Sequence, residues 1–157
     1  MKIRTYTAPE DTKQLLELSK RLTDINLPAR IDVDFFSCLQ RENLAADLAD
    51  PAQGEVMLVA LDDDDLLIGF LQLRIEKDWV SKRRTGHIAR IAVAERAEGT
   101  GVAKALMVEA DQWAHENNFP LLTLDVFSTN ERAIAFYNHL GYEVETMKMV
   151  KRVDQSS

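Results

Sequence analysis

The 157-residue sequence has a single cysteine, Cys38, and no long uninterrupted run of apolar residues. One cysteine cannot form a disulfide within the chain, and no Cys/His cluster has the spacing of metal ligands, so we expect no bound metal. A run of about 20 apolar residues, which a membrane-spanning helix needs, is absent. The first residues, MKIRTYTAPEDTKQ, also lack the apolar centre of an export signal. These absences predict a cytoplasmic protein with no membrane partner.

Positive charge is scarce as well. The sequence has 19 lysines and arginines against 26 aspartates and glutamates, which gives a formal net charge of −7 at pH 7. A nucleic-acid surface needs a basic face, so nucleic acid is not an expected partner. The acidic balance suits a cationic partner such as an amine.

The remaining composition, 46% hydrophobic and 29% charged residues, is typical of a globular protein with a buried core. The length suggests a single domain over residues 1–153, followed by a frayed tail at 154–157. Alternating and helical periodicities predict an α/β (α+β) chain in the order β-α-α-β-β-β-α-β-α-β. A meander of antiparallel strands precedes the β-α-β-α-β part, which indicates a mixed, mostly antiparallel sheet flanked by about four helices.

The predicted elements have these approximate bounds. Strands are expected at residues 2–7, 55–61, 66–76, 85–93, 120–127 and 142–153. Helices are expected from about Pro9 through Leu22, around residues 35–44, at 101–117 and at 128–141. Ser128 and Glu131 form a predicted capping box at the start of the last helix.

Gly99 and Gly101 lie between the strand that ends at Val93 and the helix that begins near Val102. The first N–H groups of a helix have no partner within it, and the helix dipole places partial positive charge there. Because glycine has no Cβ, a phosphate group approaches such a backbone closely, and Lys104 would add a charge. The Walker A pattern and the G-x-G-x-x-G dinucleotide pattern are both missing. The alternatives at this point are a phosphate-binding loop and a plain turn.

A second pattern occurs in the last predicted helix, where Asn130, Ala133, Tyr137 and Gly141 follow one another at fixed spacing. Ala133 and Tyr137 are four residues apart and therefore share a helix face. A small residue one turn before a tyrosine leaves room for a ligand to reach the hydroxyl. The alternatives are that Tyr137 packs in the core and that Asn130 caps the helix.

Together these residues resemble the GNAT superfamily of acetyl-CoA-dependent N-acetyltransferases. That family carries [Q/R]-x-x-G-x-[G/A] after its fourth strand and, later, N-x-x-A-x-x-x-Y-x-x-x-G-[F/Y]. The later pattern is matched by Asn130, Ala133, Tyr137, Gly141 and Tyr142. The earlier pattern fits best at residues 98–103, with Glu98 in place of Gln or Arg; a second register, 96–101, lies two residues early. Since a carboxylate repels a phosphate, we expect Glu98 to point away from the ligand, toward Arg96.

The resemblance implies a GNAT-like fold and direct acetyl transfer from acetyl-CoA to a primary amine of a small molecule or protein. The amine would attack the thioester through a tetrahedral intermediate, with a backbone N–H near Ala92 and Val93 at the oxyanion and Tyr137 as the general acid for the thiolate. The implied cofactor-binding residues are Ile91, Ala92 and Val93 for the pantetheine, Glu98, Gly99, Thr100, Gly101, Val102, Ala103 and Lys104 for the pyrophosphate, and Asn130 and Ala133 in the later motif.

The general base is less clearly indicated. Many relatives have a glutamate on the fourth strand about where this chain has Ala89, and alanine cannot accept a proton. His87 lies two residues earlier, so regular strand alternation places it on the same face. Glu76 and Asp78 on the preceding strand are alternatives, and a chain of water molecules serving a neutral amine is another.

Two further expectations concern the partners. The segment between the first two helices shapes the acceptor pocket in relatives, and Asp32 and Asp34 in this segment would attract a cationic amine. A homodimer through the final strand or the helices is common in relatives. The alternative function is a CoA-binding regulatory or sensor module with the same fold and little transfer activity, an alternative that Ala89 keeps open.

Overall fold

The computed structural model describes residues 1–154, which form a five-stranded sheet in the order β1-β2-β3-β4-β5 with four α-helices. Strands β1 to β4 are antiparallel and β5 is parallel to β4, which confirms the predicted mixed, mostly antiparallel sheet. None of the helices in this part of the chain is long and apolar enough to cross a membrane. The elements are β1 (Lys2–Thr5), α1 (Thr12–Leu18), α2 (Val33–Ala49), β2 (Val56–Leu61), β3 (Leu67–Lys77), β4 (Arg84–Val93), α3 (Val102–Glu116), β5 (Leu122–Leu124) and α4 (Glu131–His139), with 3-10 helices at Ser19–Leu22 and Glu95–Ala97.

Apolar side chains alternate along the strands and so form one core on each face of the sheet. On the first face, Phe70 packs with Leu15 of α1 and Leu44 of α2, and all three are fully buried. On the second face, Leu71 packs with Leu106 of α3, and side chains of α4 border this core. We refer to these sides as the α1/α2 face and the α3/α4 face.

Strand β4 contains a bulge at Ala89. Arg90 pairs with Gln72 and Ile88 pairs with Leu73, so Ala89 is an extra residue without a partner on β3. Both Ile88 and Ile91 pack on the α3/α4 face, although they are three residues apart. A bulge shifts the alternation in this way and bends the strand.

Strands β4 and β5 pair over only part of their length. The parallel ladder joins Gly86, His87 and Ile88 to Leu122, Thr123 and Leu124, and it ends there. Strand β4 continues to Val93, so from the bulge onward its outer edge has no strand beside it. The sheet therefore has a gap beside the outer edge of β4, beyond the end of β5.

The prediction of a final strand at residues 142–153 is wrong for this structure. Residues 142–154 form no helix or strand, and the side chains of Val144, Met147 and Met149 are 69%, 81% and 90% exposed. The alternating pattern describes which side chains suit a strand, but a strand also needs a neighbour, and β5 is only three residues long. Of the predicted tail 154–157, residues 155–157 lie outside the described part of the chain.

Candidate active site

The glycine loop between β4 and α3 has the backbone that a phosphate site requires. Gly99 and Gly101 have φ angles of 74° and 89°, in the left-handed region that favours glycine. A Cβ added at either position would meet nothing within 4 Å, so this side of the loop is open. Gly101 is the N-cap of α3 and offers no side-chain acceptor, which leaves the first N–H groups of the helix without a side-chain cap. The loop therefore fits the diphosphate of CoA.

The other predicted loop residues contribute in different ways. The hydroxyl of Thr100 donates to the carbonyl oxygen of Ala97 at 2.5 Å, so it is already engaged within the loop. Val102 is 2% exposed and packs in the α3/α4 core, so only its backbone faces a ligand. Lys104 is exposed in the first turn of α3, where a cation complements a bound anion.

Glu98 is held by two arginines, one on each oxygen of its carboxylate. Its carboxylate accepts from Arg21 of the first 3-10 helix and, at 3.2 Å, from Arg132 of α4. Arg132 and then Arg21 hold the pKa of Glu98 below its usual range, so the carboxylate is charged and compensated. The expected contact with Arg96 is wrong, because Arg96 donates instead to Asp62 at 2.9 Å.

Arg21 also contacts the edge of β4, where its Nε donates to the carbonyl oxygen of Val93 at 3.0 Å. Sequence reasoning missed this residue, since Arg21 and Val93 are 72 positions apart. A third contact, to Asp24, holds the guanidinium from its remaining side. Arg21 therefore joins the open strand edge to the start of the glycine loop.

The backbone of Val93 points into the gap. Val93 pairs with Gly69, and the next residue, Ala94, donates to Ile68 at 2.8 Å. In an antiparallel pair this pattern directs the N–H and C=O of Val93 away from β3. Ile91, two residues earlier, has the same orientation, while the Ala92 side chain packs on the α1/α2 face. The backbone groups of Ile91 and the N–H of Val93 are available to a ligand that lies along β4, whereas the carbonyl oxygen of Val93 is engaged by Arg21.

His87 lies next to the gap, on the α1/α2 face. Its side chain is 12% exposed, and its Nδ1 is 2.8 Å from Oγ1 of Thr123 on β5. Carboxylates flank both nitrogens, with Glu76 3.6 Å from Nδ1 and Asp125 3.8 Å from Nε2. Within residues 1–154, no group of three or more His, Cys, Asp and Glu side chains is arranged to hold a metal ion.

The structure separates the two acidic alternatives to His87. Glu76 lies beside the imidazole, but Asp78 lies in the turn after β3, where its carboxylate accepts from the N–H of Ser81 at 2.7 Å. The expectation that His87 and Ala89 share a face assumed regular alternation, which the bulge at Ala89 interrupts. The structure therefore brings His87 and Glu76 together and leaves Asp78 in a structural position.

A charged network connects α2 to the sheet beside this site. Asp47 of α2 accepts at 2.6 Å from both Arg74 of β3 and Arg90 of β4, and fully buried Gln72 donates to it at 3.2 Å. Burial disfavours the charged form of Asp47, but the hydrogen bonds from Arg90 and Gln72 and the charge of Arg74 outweigh burial and lower its pKa. The sequence signal for this network was the polar residues that interrupt otherwise apolar strands.

Tyr137 lies on the opposite side of the sheet from His87. It belongs to α4 and borders the α3/α4 core, and its ring packs against Phe136 and Tyr142 at centroid distances of 5.4 and 5.8 Å. Burial raises the pKa of the Tyr137 phenol, which keeps the hydroxyl protonated at neutral pH. A protonated phenol is the form that a general acid needs.

Two polar residues expected near the ligands act as helix caps. Asn130 is the N-cap of α4 and accepts from the N–H of Ala133 at 3.3 Å, so the predicted capping box at Ser128 is wrong. Asp32 is the N-cap of α2 and accepts from the N–H of Phe35 at 2.9 Å. Asp34 lies in the first turn of the same helix, where a negative charge complements the helix dipole.

Residues 19–142 match the family described as the acetyltransferase (GNAT) family. A mycothiol acetyltransferase from Segniliparus rotundus is 28% identical over 142 residues, which are 90% of this chain and 51% of that protein. The chain therefore spans about half the length of the curated relatives it matches.

Solved structures share the architecture at low sequence identity. A Bacillus halodurans protein superimposes with a TM-score of 0.76 at 18% identity and covers 98% of this chain and 99% of its own. An aminoglycoside 6'-N-acetyltransferase from Acinetobacter haemolyticus gives a TM-score of 0.70 at 22% identity, over 100% of both chains. This likeness shows a common fold.

Proposed function

The chain belongs to the acetyltransferase (GNAT) family, and from this premise we propose that it transfers the acetyl group of acetyl-CoA to a primary amine. Residues 1–153 would form a single domain of this kind. The observation that supports the proposal most is the open edge of β4, which leads directly to the glycine loop and the uncapped start of α3. These are the two surfaces that a pantetheine arm and its diphosphate need.

The residues proposed to hold acetyl-CoA follow the path from β4 to α4. The backbone of Ile91 and the N–H of Val93 would pair with the pantetheine, and the loop from Gly99 to Lys104 would bind the diphosphate. Ala133 leaves space beside α4, while Asn130 supports that helix as its cap. When bound, acetyl-CoA supplies a thioester whose carbonyl carbon accepts the amine nitrogen.

Two residues are proposed to move protons, one on each face of the sheet. The ammonium form of the acceptor first releases one proton to solvent, and the neutral amine then attacks the thioester carbon to form the C–N bond of a tetrahedral intermediate. The amine nitrogen loses a second proton to Nε2 of His87, and the C–S bond breaks as the intermediate collapses. The departing thiolate gains a proton from the hydroxyl of Tyr137. Exchange with solvent then returns His87 to the neutral form and Tyr137 to the protonated form, so the protein is unchanged after each turnover.

The acceptor is proposed to be a small cationic amine that enters from the α1/α2 face. Glu76 and Asp125 place two carboxylates beside His87, and both are accessible, with side-chain exposures of 50% and 99%. An ammonium group is attracted by such a pair before it loses its proton. Two similar proteins, a mycothiol acetyltransferase and an aminoglycoside 6'-N-acetyltransferase, are also named after small molecules.

The proposal is tested by incubating the protein with acetyl-CoA and a panel of small primary amines, including aminoglycosides, and with peptides that carry free amino groups. Mass spectrometry of the products is preferable to a thiol assay, because the exposed Cys38 would react with thiol reagents. Acetylation of at least one amine is expected. Calorimetry with CoA runs in parallel: binding without acetylation of any amine would support a CoA-binding regulatory module, and no heat of binding would contradict both functions.

We also propose a homodimer that uses the C-terminal segment, residues 143–153. This segment exposes five large apolar side chains. Strand β5 is the last strand of the sheet in the described residues, so its outer edge has no neighbouring strand. Two copies that exchange these segments would cover the apolar side chains and the strand edge together. Light scattering after gel filtration should give twice the monomer mass, and the double variant Val144→Asp, Val150→Asp should give the monomer mass.

A further inference from the structure

His87 and Thr123 form the last polar side-chain pair before the ladder between β4 and β5 ends. They are register partners in the parallel ladder, and only the pair Ile88 and Leu124 follows them. Gly86 and Ile88 face the α3/α4 core, so the side chain between them faces the α1/α2 side. The contact between Nδ1 of His87 and Oγ1 of Thr123 measures 2.8 Å.

The surroundings of Thr123 bear on which imidazole nitrogen carries the proton. Oγ1 of Thr123 is 3.4 Å from the carbonyl oxygen of Gly86, a group that only accepts hydrogen bonds. If the single hydroxyl proton points to Gly86, Oγ1 is left to accept from Nδ1–H of His87, and this is the arrangement that the proposal adopts. A carboxylate flanks each nitrogen, Glu76 at 3.6 Å from Nδ1 and Asp125 at 3.8 Å from Nε2, so the contact with Thr123, and not the carboxylates, distinguishes the two tautomers.

We propose that Thr123 is a positioning residue that holds neutral His87 as the Nδ1–H tautomer, so that Nε2 keeps the lone pair that accepts the proton of the acceptor amine. The inference rests on the proposed function, in which His87 is the base. The hydrogen bond also fixes the plane of the ring at the opening of the gap. A base in a triad depends in the same way on a partner that orients the ring and selects the tautomer.

The charges around His87 agree with this direction of proton transfer. Glu76 and Arg74 face it from β3, Thr123 faces it from β5, and Asp125 faces it from the position just after β5. Arg74 is engaged with Asp47 and Glu55. When Nε2 takes the proton, the imidazolium lies between two carboxylates, while Nδ1–H remains bound to Thr123. The carboxylate of Asp125, on the Nε2 side, attracts the amine as a cation to the nitrogen that takes its proton.

The test compares Thr123→Val, which keeps the shape and removes the acceptor, with Thr123→Ser, which keeps the hydroxyl. Two-bond ¹H–¹⁵N spectra of the whole protein report the tautomer of each of the three histidines, and His87→Gln identifies the His87 signals. We expect the wild type and Thr123→Ser to show the Nδ1–H tautomer and Thr123→Val to shift toward Nε2–H.

Acetylation assays provide the second measurement. Thr123→Val should lower kcat by about tenfold or more with little change in the KM for acetyl-CoA. The kcat of Thr123→Ser should stay within about twofold of the wild-type value.

Three outcomes would overturn the inference: an Nε2–H tautomer in the wild type, an unchanged tautomer in Thr123→Val, or wild-type kcat in a Thr123→Val protein whose tautomer has changed. The wild-type spectrum decides the tautomer even if Thr123→Val does not fold. Failure of the proposed function looks different, because no amine is then acetylated or His87→Gln retains full activity. The spectra still decide whether Thr123 sets the tautomer in that case.

Discussion

Arg21 donates a hydrogen bond from Nε to the carbonyl oxygen of Val93 at 3.0 Å, on the side of β4 that faces the gap. The same guanidinium binds the carboxylate of Glu98, at the start of the glycine loop. A residue of the first 3-10 helix thus fixes both the strand edge and the loop that are proposed to hold one ligand. Its side chain is 18% exposed, so solvent does not easily replace these contacts.

We predict that Arg21→Ala lowers both stability and affinity for acetyl-CoA. Loss of a charged hydrogen bond at a partly buried site should lower the free energy of unfolding by about 1–2 kcal/mol. Release of Val93 and Glu98 should also weaken acetyl-CoA binding by about three- to tenfold. Urea denaturation and calorimetry measure the two effects, with Arg30→Ala as the exposed control. Equal behaviour of the two variants would contradict the role of Arg21.

Arg132 is predicted to contribute to binding of the phosphate groups. Glu98 holds its guanidinium near the loop, yet the side chain is 77% exposed and has donors to spare. Arg132→Ala should weaken binding of CoA by about three- to tenfold and leave acetyl-pantetheine, which lacks the diphosphate, unchanged.

Calorimetry at two salt concentrations gives the measurement, because a phosphate contact weakens as salt rises. Arg83→Ala, in the turn between β3 and β4, is the control for a general loss of positive charge. If Arg132→Ala weakened acetyl-pantetheine binding as much as CoA binding, the residue would act on the fold and not on the phosphates.

Features defined by short spacing were predictable from the sequence, and features defined by distant partners were not. The glycine loop, α4 and the position of Tyr137 follow from local patterns, because a turn, a cap or a helix face depends on neighbouring residues. The contact from Arg21 to Val93 depends on how the first helices pack on the sheet. Nothing in the sequence around Arg21 distinguishes it from an ordinary surface arginine.

Strand alternation was the less reliable guide. The pattern at residues 142–153 suits a strand, but alternation does not say which neighbour supplies the hydrogen bonds. In β4 the alternation itself changes at Ala89, since one extra residue moves Arg90 to the α1/α2 face, where it meets Asp47. A bulge of this kind leaves no clear composition signal, and it changes which side chains face the site.

Asp47→Asn is predicted to destabilise the protein in a pH-dependent way. The pKa of Asp47 is lowered in the folded protein, so its charge stabilises the fold above the ordinary aspartate pKa of about 3.9, and this stabilisation is lost as pH falls through the lower folded value. At pH 7, Asp47→Asn leaves Arg74 and Arg90 with less compensation and should cost about 2 kcal/mol, a figure reduced for partial exposure.

Urea denaturation between pH 2.5 and pH 7 checks this prediction. The difference between wild type and Asp47→Asn should be greatest near neutral pH and should shrink toward pH 3. Asp50→Asn, at the exposed end of α2, is the matched control and should follow the wild type. A difference that stayed constant with pH would mean that the loss comes from packing and not from charge.

Tyr137→Phe is predicted to lower kcat by about a hundredfold if the phenol is the general acid, with affinity for CoA within about twofold. Burial raises the pKa of Tyr137, so the hydroxyl stays protonated through neutral pH, and the wild-type rate should fall only above the ordinary tyrosine pKa of about 10. Measuring kcat from pH 7 to pH 11, with circular dichroism to verify folding, should show this alkaline fall in the wild type and not in Tyr137→Phe.

Tyr142→Phe is the control, because it removes a second buried hydroxyl from the adjacent ring. This variant should keep both the wild-type rate and the alkaline fall. An alkaline fall that persisted in Tyr137→Phe would assign the proton to another group.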